Sequence, residues 1–231
     1  MSDLDLGWKA LAQRCEYEFP QLQFIPYAAG DLVIVGADLS PFTLLFAYSH
    51  GYFPMYVEID KEKVLGWFSP VERGVIDLDE LKVTRSMKQS AKKYECRMDT
   101  RFRDVMEKCK DQPRHGGWIT DDFIDAYEVL HNMGYAHSVE VYADDELVGG
   151  LYGVGIGGFF AGESMFHTQR DASKVALMHL VRHLNDQGAD LLDTQWQTDH
   201  LVRMGTKVVE RNEYLERLGR ATELPSISWP M

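Results

Sequence analysis

The chain has 231 residues, 45% hydrophobic and 26% charged, with a net charge of −12, which fits a globular protein of one large or two small domains. No run approaches the roughly 18 apolar residues of a membrane span, and the start, MSDLDLGWKA, lacks the basic and apolar segments of a secretory leader; a cytoplasmic protein is expected. Cys15, Cys96 and Cys109 are odd in number and widely spaced, which excludes a disulfide framework and a CxxC metal or redox site.

In chain order, residues 30–39 hold a short apolar strand, LVIVG, followed by Ser40 as an N-cap and Pro41 in the first helical turn. The helix should run to about His50 and stop at Gly51. Tyr52-Phe53-Pro54-Met55 reads as an extended, aromatic turn, because proline disfavours helix at the residue before it. A second aromatic segment, Trp67-Phe68-Ser69-Pro70, marks the expected boundary between a small N-terminal α/β domain, residues 1–69, and a larger one, residues 70–231.

The larger part opens on a basic stretch. Between Lys82 and Lys110, ten basic residues face four acidic ones, a local +6, while the rest of the chain carries −18. Such an island can hold one polyanion while the remaining surface repels it. From charge alone, a solvated helical face is the better reading. Phe102, Val105, Met106 and Cys109 then form an amphipathic stripe, and a helix capped at Thr120 or Asp121 carries Phe123, Ala126, Tyr127 and Leu130, with Gly134 as its stop. Three strands follow, an alternating one over 138–142, a second over 147–154 and a third over 158–166, with a polar turn at 143–146 between the first two. A helix over 173–187 turns Leu177, Leu180, Val181 and Leu184 inward and leads to a strand over 190–196. The β–β–β–α–β order predicts an α+β fold with a mixed sheet flanked by helices.

Several patterns fail on chemistry. Gly153, Gly155 and Gly158 spell GxGxxG but lead into a strand, so a hairpin is read there and dinucleotide binding is rejected. His179 and His183 share a helical face without the glutamate of a zinc motif, and are expected to be solvated. Asp193 and Gln195 carry more weight. Alternate strand residues face one side, so a carboxylate and a carboxamide would share a buried face, where polar groups need partners. A structural hydrogen-bond pair and a catalytic pair both stay open at this point. Glu163 adds a third polar group inside an apolar run, with a salt bridge to Arg170 as its plain reading. Tyr48, Tyr52, Phe53, Trp67, Phe68, Trp118 and Tyr127 are mostly core, yet several sit beside Gly or Pro, as pocket-wall residues do.

A set of strings then matches one family. GADLSP (Gly36 to Pro41), GYFPM (Gly51 to Met55), WFSP with Arg73, TRSMK (Thr84 to Lys88), GWIT (Gly117 to Thr120), AHSVEVY (Ala136 to Tyr142), ELVGGLYGV (Glu146 to Val154), GESMF with DASK, and DTQWQTDHL (Asp193 to Leu201) fall in that family's order. The chain resembles the leucyl/phenylalanyl-tRNA–protein transferases of the bacterial N-end rule. The resemblance implies a C-terminal domain of the GNAT-like acyltransferase fold, acting as a cytoplasmic monomer without metal or coenzyme. It implies transfer of Leu or Phe, and less readily Met, from aminoacyl-tRNA to proteins or peptides with N-terminal Arg or Lys. On this sequence the implied catalytic groups are Asp193, Gln195 and Glu163, and the amino-acid pocket is Tyr48, Met55, Trp118, Tyr127, Leu151 and Leu177. Met55 stands where the family carries tryptophan, and Leu151 where it carries methionine.

The basic stretch then supplies the tRNA contacts, Arg85, Lys88, Lys92 and Lys93. Two rivals are an acetyl-CoA-dependent N-acetyltransferase and a non-catalytic tRNA-binding protein. In the first, Lys174 would occupy the last small position of the phosphate loop and block close backbone approach; in the second, the polar trio and the aromatic pocket would have no purpose. The same reading expects Asp193→Asn to slow turnover while the fold survives.

Overall fold

Capping chemistry starts the chain as expected. The computed structural model describes residues 7–112 and 117–230; the first six residues, where the start was read for a leader, lie outside them. After α1 (Trp8–Ala12) and β1 (Leu32–Val35), α2 (Pro41–Ser49) begins with Ser40 Oγ accepting the Thr43 backbone N–H at 3.3 Å. Beyond it, Tyr52–Met55 is not a turn. Phe53 opens β2 (Phe53–Ile59), which pairs as a hairpin with β3 (Glu62–Phe68) through Asp60 and Lys61, both at positive φ. Pro54 is tolerated because β2 is an edge strand in the order β1–β3–β2, where a missing N–H need not break the ladder.

The rest of the chain builds a second sheet. Its elements are β4 (Glu72–Ile76), α3 (Arg85–Ser90), β5 (Glu95–Met98), α4 (Phe102–Lys110), α5 (Asp121–Asn132), β6 (Ala136–Ala143), β7 (Glu146–Ile156), β8 (Phe159–His167), α6 (Ala172–Asp186), β9 (Leu191–Gln195), α7 (Asp199–Met204), β10 (Lys207–Glu210) and α8 (Arg211–Thr222). The seven strands lie in the order β10–β4–β9–β8–β7–β6–β5. Among the described residues only the β8–β9 pair is parallel, with α6 as its crossover, so the sheet is mixed and the fold is α+β. The expected β–β–β–α–β run is β6–β7–β8–α6–β9.

Burial on both faces of this sheet corrects one expectation. β6 was expected to alternate between core and solvent, yet Ala136 to Tyr142 are all buried. Ala136 and Tyr142 enter the core beneath α4 and α5, whereas Val139 and Val141 enter the core beneath α6. The predicted stripes of those helices face the same two cores. His179 and His183 are not solvated: both are half-buried, burial lowers both imidazole pKa values, and the Trp229 ring packs against His183 at a tilt, 4.8 Å between centroids.

Candidate active site

Where β9 ends, the backbone departs from a regular strand. Gly74 pairs with Gln195 and Val75 with Asp193, so Thr194 is an extra, bulged residue. A Cβ on Gly74 would lie 2.8 Å from Thr194 Oγ1, which requires glycine there. Gln195 itself sits at φ +62, in the left-handed region that a residue with a side chain occupies only when its surroundings hold it.

Asp193 does the holding. It is fully buried, and Oδ1 accepts the Gln195 backbone N–H at 2.8 Å and the Arg73 Nε–H at 2.9 Å. Oδ2 accepts Arg73 Nη2 at 2.6 Å and the Tyr214 hydroxyl at 2.9 Å. Arg73 is equally buried and also donates to the Gly51 carbonyl at 3.1 Å. Burial, the largest single influence, favours a neutral guanidine, but the Asp193 charge and hydrogen bond, with Tyr214 and Glu163, together outweigh it and raise the Arg73 pKa. The carboxylate thus grips the Gln195 backbone rather than its carboxamide.

The Gln195 side chain turns to the third member of the trio, its Nε2 donating to Glu163 Oε1 at 2.6 Å. The Tyr48 hydroxyl also bonds to Glu163 and to the Tyr127 hydroxyl. Burial pushes the Glu163 carboxyl up to about 8, with the Asp193 charge adding to the rise and the Tyr48 bond, Arg73 and Gln195 opposing it. Burial raises the Tyr48 and Tyr127 hydroxyls well above their usual range as well. The expected partner Arg170 plays no part here: its side chain is 84% exposed and lies beside Asp171.

A cavity of about 470 Å³ opens over Gln195 and Glu163. Met55, Trp118, Leu151 and Leu177 line it, as four of the six pocket residues read from the sequence. Tyr48 and Tyr127 stand behind the wall, fully buried, and Asp193 lies behind Gln195 without lining the cavity. The bulk of the lining is apolar, with Ser164 as a further polar group, and Thr198 and His200 as two that the sequence reading did not single out. Arg73 and Tyr214 were missed for want of a local signal, since they meet Asp193 from 120 and 21 residues away. The one hint was a buried carboxylate in need of a cation.

The basic stretch shrinks on folding. Arg97 pairs with Glu95 and Asp145, Arg101 with Asp104, Arg103 with Glu107, Asp125 and Glu128, and Lys110 with Asp121. Arg85, Lys88, Lys92 and Lys93 are exposed, on α3 and the turn after it, and make no ion pair among the described residues. Among the described residues, Asp99, His131 and His137 bring ligand atoms within 4.8 Å of one another. Their nitrogens already serve the fold: His137 Nδ1 meets Asp99 Oδ2 at 2.7 Å, its Nε2 the Gly134 carbonyl at 3.2 Å, and His131 Nδ1 the Ala136 carbonyl at 2.8 Å. The cluster stands outside the cavity.

Comparison with known proteins agrees with this arrangement of motifs. The family model described as leucyl/phenylalanyl-tRNA protein transferase matches residues 75–219, and the one for that family's N-terminal domain matches residues 37–71. A leucyl/phenylalanyl-tRNA–protein transferase of Sulfurimonas denitrificans is 48% identical over 190 residues, 81% of this chain and 82% of its own. One from Syntrophotalea carbinolica is 44% identical over 216 residues, covering 91% and 92%. Among solved structures, the L-PGS of Bacillus licheniformis aligns with a TM-score of 0.37 and 13% identity over 68% of this chain and 53% of that one, a likeness too slight to bear on the fold.

Proposed function

Since the chain belongs to the leucyl/phenylalanyl-tRNA protein transferase family and is an aminoacyltransferase, we propose that it moves Leu or Phe, less readily Met, from tRNA to proteins with N-terminal Arg or Lys. Such transfer marks the acceptor for N-end-rule degradation, and we place it in the cytoplasm on a monomer. The C-terminal part is read as GNAT-like from the family resemblance, with which its mixed sheet is compatible, and residues 1–69 as the smaller domain. The observation that carries the reading is the cavity itself: an apolar chamber whose floor is a carboxamide locked against a carboxyl.

An aminoacyl ester is already activated, so no covalent nucleophile is needed. The acceptor's α-amine forms the C–N bond at the ester carbonyl, the C–O bond to the ribose breaks, and the amine proton ends on the departing ribose oxygen. With Nε2 committed to Glu163, Gln195 offers its carboxamide oxygen to an N–H of the attacking amine. Asp193 and Arg73 act through Gln195 as positioning residues, fixing its strained backbone so that the oxygen needs no reorganisation. Glu163 faces the acceptor's basic side chain. Its raised pKa leaves it largely protonated in the empty site, and an arriving guanidinium or ammonium favours the carboxylate. Met55, Trp118, Leu151 and Leu177 hold the donor's side chain, and Arg85, Lys88, Lys92 and Lys93 meet tRNA phosphates.

The direct test is transfer of radiolabelled leucine from leucyl-tRNA to a peptide beginning with Arg, with acetyl-CoA offered in competition. Leucylation insensitive to acetyl-CoA is expected. Acetylation of the peptide, or tRNA binding without transfer, would support one of the two rivals instead.

A further inference from the structure

Beside the reactive cavity lies a second cleft, of about 540 Å³, which shares His200 with it. His167 at the end of β8, Arg170 in the following turn, Lys174 on α6 and His200 on α7 converge there. A third cleft shares Arg170 and Ser86 with the second and adds Arg85 and Lys93. The shared residues place the three side by side, in a row that leads from Gln195 to α3.

Charge in the added stretches is one-sided. Four cations, Arg85, Lys93, Arg170 and Lys174, line them against Asp171, the one carboxylate there among the described residues. Asp171 is already spent on the fold: it accepts from Lys174 at 2.8 Å, Ser86 at 2.7 Å and Ser90 at 3.3 Å, and these bonds, Lys174 foremost, hold its pKa down to about 2. On a protein of net charge −12, a groove with this surplus concentrates anions where the rest of the surface repels them. His200 senses the same field. Burial, then Lys174, His167 and Arg203, depress its pKa, a strain that a bound anion would relieve.

We propose that this groove is an anion track for the internucleotide phosphates of the donor's single-stranded end, with the His167, Lys174 and His200 cleft taking the phosphate nearest the reacting ester. The proposal rests on the aminoacyl-tRNA reading of the cavity. It extends the tRNA interface from α3 down to the chemistry and adds Arg170, Lys174 and His167 to it.

Two donors separate the possibilities: leucyl-tRNA, and leucyl-adenosine, which carries no internucleotide phosphate. In the Arg170→Gln/Lys174→Gln variant, KM for leucyl-tRNA should rise at least tenfold more than KM for leucyl-adenosine. The slope of log affinity for tRNA against log salt should flatten by about 0.7 for each lost contact. Lys174→Arg, which keeps the charge and the bond to Asp171, should restore the Lys174 share, and melting curves monitor the fold. Equal changes for both donors, or no change for either, would overturn the anion track alone. Wild-type protein that transfers leucine from neither donor would overturn the aminoacyl-tRNA reading and the track with it.

Discussion

Two polar regions of this molecule solve opposite problems. The Arg73, Asp193, Gln195 and Glu163 network is buried, with Asp193 committed to four hydrogen bonds and Gln195 Nε2 to Glu163. Arg85, Lys88, Lys92 and Lys93 are exposed and make no ion pair among the described residues. In the first region low dielectric makes each contact strong and each loss severe, so geometry is fixed before any substrate arrives. In the second, water and salt screen each charge, and the side chains stay available for a partner. The comparison teaches where each substitution should register: the buried network in turnover and stability together, the exposed island in donor affinity and its salt dependence.

Asp193→Asn should break the comparison hardest. It removes the charge that holds a buried guanidinium, so about 3–5 kcal/mol of stability should go along with a transfer rate at least ~100-fold lower. This revises the expectation from sequence that the fold would be spared, because the pairing of Arg73 with Asp193 is not visible in the sequence. Pairing it with Arg73→Gln should return part of the melting temperature without the rate, as calorimetry and single-turnover kinetics on both variants would show. At the exposed island the pattern should invert. Changing Arg85, Lys88 and Lys92 to Glu should leave the melting curve within about 0.5 kcal/mol of wild type. Affinity for leucyl-tRNA should fall and its salt slope flatten, while peptide affinity stays. Unchanged tRNA binding across a salt series would make the island a mere solvated face.

Smaller effects sharpen the contrast within the buried region. Leu177 is buried in the cavity wall, so Leu177→Ala should relax selection between leucine and β-branched donors by about 1–3 kcal/mol, read as ratios of kcat/KM for leucyl- and valyl-tRNA. Glu163 gives a signal of a different kind, spread over several pH units, in stability against pH. Its folded pKa, about 8, lies above the value near 4.5 of a free glutamate, so between those limits the folded state binds the extra proton and stability falls as pH rises. The slope cannot exceed that of one proton, about 1.4 kcal/mol per pH unit. Glu163→Gln should flatten that window, and identical pH profiles of unfolding midpoints would contradict the burial assigned to this carboxyl.

Much of the fold was legible because local signals agreed with it: Ser40 capping α2, the stripe of Phe102, Val105, Met106 and Cys109 on α4, and the β–β–β–α–β order. The β2–β3 hairpin was not, since Pro54 argues against a strand unless its edge position is known. At the candidate site, period-2 alternation brought Asp193 and Gln195 to attention, but the bulge at Thr194 and the φ of +62 at Gln195 send their side chains to different partners. Arg73 and Tyr214 reach Asp193 only through tertiary folding. Neutralisation of Arg97, Arg103 and Lys110 by acids outside the stretch likewise leaves no trace in its charge count.

The central claim is that the carboxamide of Gln195, held by Asp193 from behind and Glu163 from the side, receives the attacking amine. Gln195→Ala removes that group while sparing the Arg73–Asp193 pair and the backbone N–H that Asp193 accepts. Single-turnover transfer from saturating leucyl-tRNA to an Arg-terminated peptide measures its consequence most directly. The account predicts a rate at least ~100-fold below wild type, with leucyl-tRNA affinity retained and a fall in melting temperature well short of that in Asp193→Asn, because only the bond to Glu163 is lost. A well-folded Gln195→Ala protein that transfers leucine at the wild-type rate would contradict it.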